Sequence, residues 1–137
     1  MRERRGFGLA ETATVIVILG VLAIIAIPNF IQVKKRSMEA AVKANAHSLQ
    51  MVVEEWSTDH AGILPALADI GPALFLGGVF PDNPFTGNPF QLGATGVYSQ
   101  GNLGYSLVGS IYRIEGYGAA ADSGPGNDGV IARLTNG

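Results

Sequence analysis

Between Phe7 and Ile27 the chain carries a single ionisable side chain, Glu11. As a helix, this stretch of about 21 residues would rise roughly 30 Å, the thickness of a bilayer's hydrocarbon core, and a carboxylate in such a place is costly and usually functional. A second concentration of oxygen ligands lies at Asp122-Ser123-Gly124-Pro125-Gly126-Asn127-Asp128-Gly129. There Asp122 and Asp128 could offer carboxylates to a hard cation such as calcium, with Ser123, Asn127 or backbone carbonyls completing the shell. The loop lacks EF-hand spacing, and the same residue types build ordinary turns. No other spacing suggests catalysis: there is no phosphate-cradling glycine loop before a helix, no nucleophile elbow and no His-rich metal motif. Glu54 and Glu55 are adjacent on a helical pattern and diverge, which makes a polar face and not a carboxylate dyad. His47 and His60 read as solvated helix residues. The expected protein is not an enzyme.

The surroundings of Glu11 narrow its use. A basic leader, Met1-Arg2-Glu3-Arg4-Arg5-Gly6, precedes Phe7-Gly8-Leu9-Ala10-Glu11, and an unbroken apolar run over 15–27 is closed by Pro28. A secretory signal expects its basic end to abut the apolar core and a small-residue cut site to follow it. Here Glu11, Thr12 and Thr14 interrupt the start, and Pro28-Asn29-Phe30-Ile31 follows the end. A plain single-span anchor fits the hydropathy but has no use for Glu11 and gives Gly6-Phe7 no meaning.

These residues resemble the type IV pilin-like family, whose members carry the prepilin N-terminal motif. In that family a prepilin peptidase cuts between a glycine and an aromatic residue, the new amino terminus is N-methylated, and a glutamate lies four positions beyond the aromatic. Gly6, Phe7 and Glu11 occupy those places, and Gly20 and Pro28 fall where the family carries a glycine and a proline inside its first helix. The match is tight over about the first 25 residues, and several spaced residues coincide in one hydrophobic segment. Gly8 departs from the usual threonine or similar residue, and Ala10, Thr12, Ala13 and Thr14 are less apolar than the family norm. The resemblance implies cleavage after Gly6, methylation of Phe7, and assembly through Glu11 and the Phe7 amine. It further implies identical and related pilin subunits, the peptidase/methyltransferase and inner-membrane assembly machinery as partners, with membrane lipid around the stem before assembly.

Composition fits a small exported domain on a membrane stem. The 137 residues allow one globular domain, and the N-terminal segment inflates the 47% hydrophobic content. Formal charge is −2, and removing a leader with three arginines and one glutamate takes it to about −4. A general nucleic-acid binder would need a clustered basic face instead, so no specific nucleic acid is expected as a partner. Basic residues flank both ends of the span, Arg2, Arg4 and Arg5 before it and Lys34-Lys35-Arg36 after it, and compete for the cytoplasmic side. The resemblance implies a cytoplasmic N-terminus in the inner membrane, with the domain in a periplasmic pseudopilus or an extracellular pilus after assembly. Without cysteine, no disulfide braces that domain.

Beyond the span, Met38, Val42, Ala46, Leu49, Val53 and Trp56 recur at three- and four-residue spacing, with polar residues elsewhere. Residues 7–60 therefore read as one long helix, half stem and half amphipathic, closed near Gly62 by a left-handed turn. Gly20 and Pro28 mark the place for the helix to bend or unwind. Residues 63–96 are rich in glycine and proline and read as a connecting loop with a short helix over 65–70. Within it, Asn83-Pro84-Phe85-Thr86-Gly87-Asn88-Pro89-Phe90 resembles the Asn-Pro-Phe or Asp-Pro-Trp loop of type II secretion major pseudopilins and of some related cysteine-free pilins; those pseudopilins also have a calcium site in a comparable C-terminal loop. From its residues it reads as a turn whose phenylalanines pin the loop to the core, with direct binding of a partner as the alternative.

Strands are expected over 104–108, 110–116 and 130–134, forming a small antiparallel sheet on the helix stripe in an α+β fold. The expected organisation is a cleaved leader at 1–6, a transmembrane and filament-core helix at 7–32, and an exported domain at 33–137. Its expected function is that of a structural subunit of a type IV pilus or type II secretion pseudopilus. The alternative is a monomeric membrane-anchored periplasmic binding domain.

Overall fold

A computed structural model describes residues 8–96, 99–119 and 129–137. The long helix α1, Leu9–Asp59, takes up both halves of the expected pattern. The chain divides into two compact units, one reaching to Lys34 and the other Lys35–Gly137. In the first, side chains are exposed around the whole helix, including Leu9, Ile16, Ile24 and Phe30. Such a helix has no polar face to give to water, which is the pattern of a span or of a buried bundle core.

In the second unit α1 buries Val42, Ala46, Leu49, Val52 and Val53 on one side. The stripe lies where the spacing placed it, with Val52 added. Asp59 ends the helix, and Gly62 follows at φ +86° with its amide donating to the Ser57 carbonyl at 2.7 Å. That left-handed glycine was expected; Ala61 beside it also has a positive φ of 56°. A 3₁₀ turn, Leu67–Asp69, stands within the span 65–70 expected as a short helix, and a second, Pro72–Leu74, follows it.

Four strands follow: β1 (Leu92–Ala94), β2 (Leu103–Val108), β3 (Ile111–Tyr117) and β4 (Val130–Thr135), side by side in that order. The pairs β2–β3 and β3–β4 are antiparallel, and a bulge sits at Gly116/Tyr117. Gly109, at φ +63°, opens the two-residue turn between β2 and β3 and supplies the backbone twist that tight hairpins require. The expectation of a wholly antiparallel sheet needs correction, because β1 pairs with β2 in parallel and makes the sheet mixed. A three-residue Leu-Gly-Ala strand has too little alternation to register as a strand in sequence.

The core between helix and sheet holds Leu49, Phe90, Leu103, Ile114 and three tyrosines, all essentially removed from solvent. Each tyrosine hydroxyl is matched. Tyr105 donates to the Pro65 carbonyl at 2.7 Å. Tyr112 donates to Glu54 at 2.5 Å and accepts from Gln50 at 3.1 Å, so Glu54 serves the core and is not merely part of a polar face. Tyr117 donates to Glu115, itself only 5% exposed, and accepts from the Gly96 amide. Arg133 completes the surroundings of Glu115, with Nε 3.5 Å from its carboxylate. Buried hydroxyls and charges are tolerated only when matched in this way.

The connecting loop is held by Asn83, which is 2% exposed. Its Nδ2 donates to the Gln100 carbonyl and to Asn102 Oδ1, its Oδ1 accepts from the Phe85 amide, and its backbone closes the turn with Gly87 and Asn88. Phe90 is buried, Phe85 is half-buried against the core, and Phe75, Phe80 and Phe90 form an aromatic cluster with centroids 4.9 to 5.8 Å apart. The phenylalanines thus pin the loop as their positions suggested, while a buried asparagine fixes its path.

Gly101 lies against Asn83 at φ +74°, and a β-carbon there would sit 1.9 Å from Asn83 Oδ1. Gly101→Ala should therefore destabilise a soluble fragment beginning at Lys35 by about 2 kcal/mol or more, read from urea midpoints. Part of that loss should vanish in an Asn83→Ala background, where the clash is gone.

Burial, and then the nearby Tyr112, push the Tyr105 phenol from 10.0 to about 12. Tyr112 is raised as well, first by burial and then by its bond to Glu54. The unfolded chain releases these protons first as pH rises. Stability from Tyr105 is therefore fully present below pH about 10 and is lost towards pH about 12, by up to roughly 2–3 kcal/mol. Tyr105→Phe should flatten that slope in part, leaving the Tyr112 contribution, as measured by urea melts at stepped pH.

Candidate assembly site

The first turn of α1 positions Glu11. Gly8 stands just before the helix, and its carbonyl accepts from the amides of Glu11 and Thr12, each at 3.1 Å. Glu11 Oε2 accepts from the Gly8 amide at 3.0 Å. A glutamate three residues into a helix that reaches back to the capping residue satisfies an otherwise orphaned amide, and its charge suits the positive end of the helix dipole. Glu11 thus has a local structural use that the sequence reading missed, although an acid three positions past a helix start is the signal for it. Its other oxygen, Oε1, accepts no hydrogen bond among the described residues.

The two threonines that make this end less apolar are also accounted for. Thr12 and Thr14 donate their hydroxyls to the carbonyls of Gly8 and Ala10, four residues back, at 3.3 and 2.9 Å. Both hydroxyl protons are occupied within the helix, which lowers the cost of placing them in an apolar medium. Around them the helix has the length and apolarity to cross a membrane, and none of its most apolar window is buried within the chain.

Among the described residues Gly20 has no neighbour that a β-carbon would meet within 4 Å, so none of them demands a glycine there. Pro28 lies inside α1, which is helical on both sides of it. Gly6 and Phe7, read as the processing and methylation positions, lie outside the described residues, as do Asp122, Ser123, Asn127 and Asp128 of the calcium reading. Among the described residues no group of three or more His, Asp or Glu side chains is arranged to hold a metal. His60 stacks on Trp56 with ring centroids 4.1 Å apart, and its Nδ1 lies 2.9 Å from the Trp56 carbonyl, so it caps the end of the helix.

Over 47 residues, 34% of this chain and 21% of the relative, the N-terminal part is 49% identical to the type IV major pilin protein PilA of Myxococcus xanthus (strain DK1622). The chain spans about a fifth of that relative's length in the match. No family model and no solved structure matches the chain. The likeness to a pilin thus rests on the N-terminal part, and the α+β arrangement of one long helix on a small sheet is consistent with a pilin fold.

If the Gly8–Glu11 cap holds the helix start, Glu11→Val should fray that turn while Glu11→Gln preserves it, because a glutamine oxygen can still accept from Gly8. In detergent, amide exchange over Leu9 to Thr12 should accelerate several-fold in the valine variant only, about 1 kcal/mol of local stability.

Proposed function

We propose that this chain is a structural subunit of a type IV pilus, cut after Gly6, N-methylated on Phe7 and polymerised through its N-terminal helix into a filament. The observation that carries the reading is the apolar helix exposed on every side, with one carboxylate in its first turn. Lipid can cover such a surface before assembly, and copies of the same helix can cover it afterwards. Similarity to a type IV major pilin over this segment favours the pilus over the secretion pseudopilus, and neither role calls for catalysis.

In the filament, the free oxygen of Glu11 faces the Phe7 amine of a neighbouring copy. At about 4 Å and an effective dielectric near 20, that pair has a Coulomb term of about 4 kcal/mol before desolvation is subtracted. A specific ion pair also fixes the axial register, which apolar contacts between sliding helices do poorly. The same carboxylate serves its own helix through one oxygen and its neighbour through the other. Gly20 and Pro28 let the stem adjust its path during assembly, Pro28 by removing a backbone donor and Gly20 by its conformational freedom.

Two measurements test this together. Mass spectrometry of filament material should find a mature chain beginning at N-methylated Phe7; an intact Met1 or Arg2 would overturn the processing step. Glu11→Val and Glu11→Gln chains should both be inserted and cut, yet both should assemble poorly, since each lacks the charge. Normal filament yield from Glu11→Gln would reduce Glu11 to a helix cap, and a chain that never forms filaments in sheared cell material would be a membrane-anchored domain.

A further inference from the structure

The half of α1 from Lys35 to Asp59 has a second face, opposite the buried stripe, that nothing among the described residues covers. Ala40, Ala44 and Met51 lie along it, all exposed, Met51 at 65%. Counting about 100° per residue, these three point within roughly 20° of one direction, while Val42 points the opposite way. The charges beside this face are sorted. Arg36 and Lys43 fall about 60–80° to one side, and Glu55 and Asp59 about 40–80° to the other. All four are exposed, and none makes a side-chain hydrogen bond or ion pair among the described residues. Glu54 also lies on the basic side, where its Oε1 is turned to the Tyr112 phenol of its own domain.

The two charged edges are also displaced along the axis. Arg36 to Glu55 and Lys43 to Asp59 are about 16 to 19 residues apart, roughly 25 Å at 1.5 Å per residue. A closed pair of helices in register would leave these charges unmatched. A parallel neighbour shifted by that distance places its basic edge beside the acidic edge of the first, and repeating the step exposes a fresh edge each time. This is a heterologous, non-closing contact.

We propose that the acidic edge of one copy, Glu55 and Asp59, binds the basic edge of a second copy, Arg36 and Lys43, with the Ala40–Ala44–Met51 face flanking the contact. The proposal rests on the filament reading and names the surface by which the domain halves of neighbouring helices are set in register. Small side chains on that face allow close approach of the helices, and the charges decide which approach is chosen.

The test is a mixing experiment on the full chain in cells that assemble it. One variant carries Glu55→Lys and Asp59→Lys, the other Arg36→Glu and Lys43→Glu. Each alone presents like charges at every contact and should lose filament yield by about tenfold or more. Expressed together, they present opposite charges at every alternating contact and should recover to within about threefold of the unsubstituted chain. A chain bearing all four changes should also assemble, which guards against a variant that merely folds badly. Wild-type yield from either single-edge variant overturns the proposal, as does failure of both the mixture and the fourfold chain while the unsubstituted chain assembles. If the unsubstituted chain forms no filaments, the filament reading falls and takes this contact with it.

Discussion

One backbone hydrogen-bond ladder has to serve two different surroundings in α1. Over the first half every side of the helix is apolar, so the ladder must close on itself, and the first turn does so through the bond from the Gly8 amide to Glu11 and through the threonine hydroxyls turned back onto carbonyls. Over the second half one stripe is withdrawn from solvent and the opposite face remains open. The sheet, the pinned loop and the tyrosine network all exist to cover that single stripe. Their arrangement follows from where Val42, Ala46, Leu49 and Val53 point.

The domain lacks disulfides, and its precision comes from polar groups matched inside an apolar core. Three buried tyrosines each tie a ring to a distant point in the chain: Tyr105 to Pro65, Tyr112 to Glu54 and Gln50, Tyr117 to Gly96. A buried hydroxyl is penalised in any packing that fails to supply its partner, so these bonds select one arrangement among several of similar apolar burial. Asn83 plays the same part for the loop that lacks regular structure.

Much of this was legible in the sequence because it is periodic or local. The helix stripe, its end at Gly62 and the three longer strands follow from spacing and turn residues alone. What escaped was set by contacts between distant residues. The parallel pairing of β1 depends on Leu92 to Ala94 meeting Leu103 to Tyr105, and no pattern within a Leu-Gly-Ala triplet records that. Asn83 reads as a turn residue until Gly101, Gln100 and Asn102 are brought against it. At the candidate site, sequence picked out Glu11 by the cost of its charge but not its bond to Gly8, because that bond needs the helix to begin where it does. The positions read as Gly6, Phe7 and the Asp122–Asp128 loop lie outside the described residues.

The ends of the sheet have a bearing on crowding. At high local concentration sheet margins meet, and a long, flat margin would recruit foreign strands and grow into aggregates. Among the described residues this sheet finishes on one side in β1, three residues with a glycine at its centre, too short to serve as a template. On the other it finishes in β4, where Arg133 keeps most of its side chain in solvent while reaching back to Glu115. Brevity at one margin and a desolvation penalty at the other make both margins poor templates for a foreign strand.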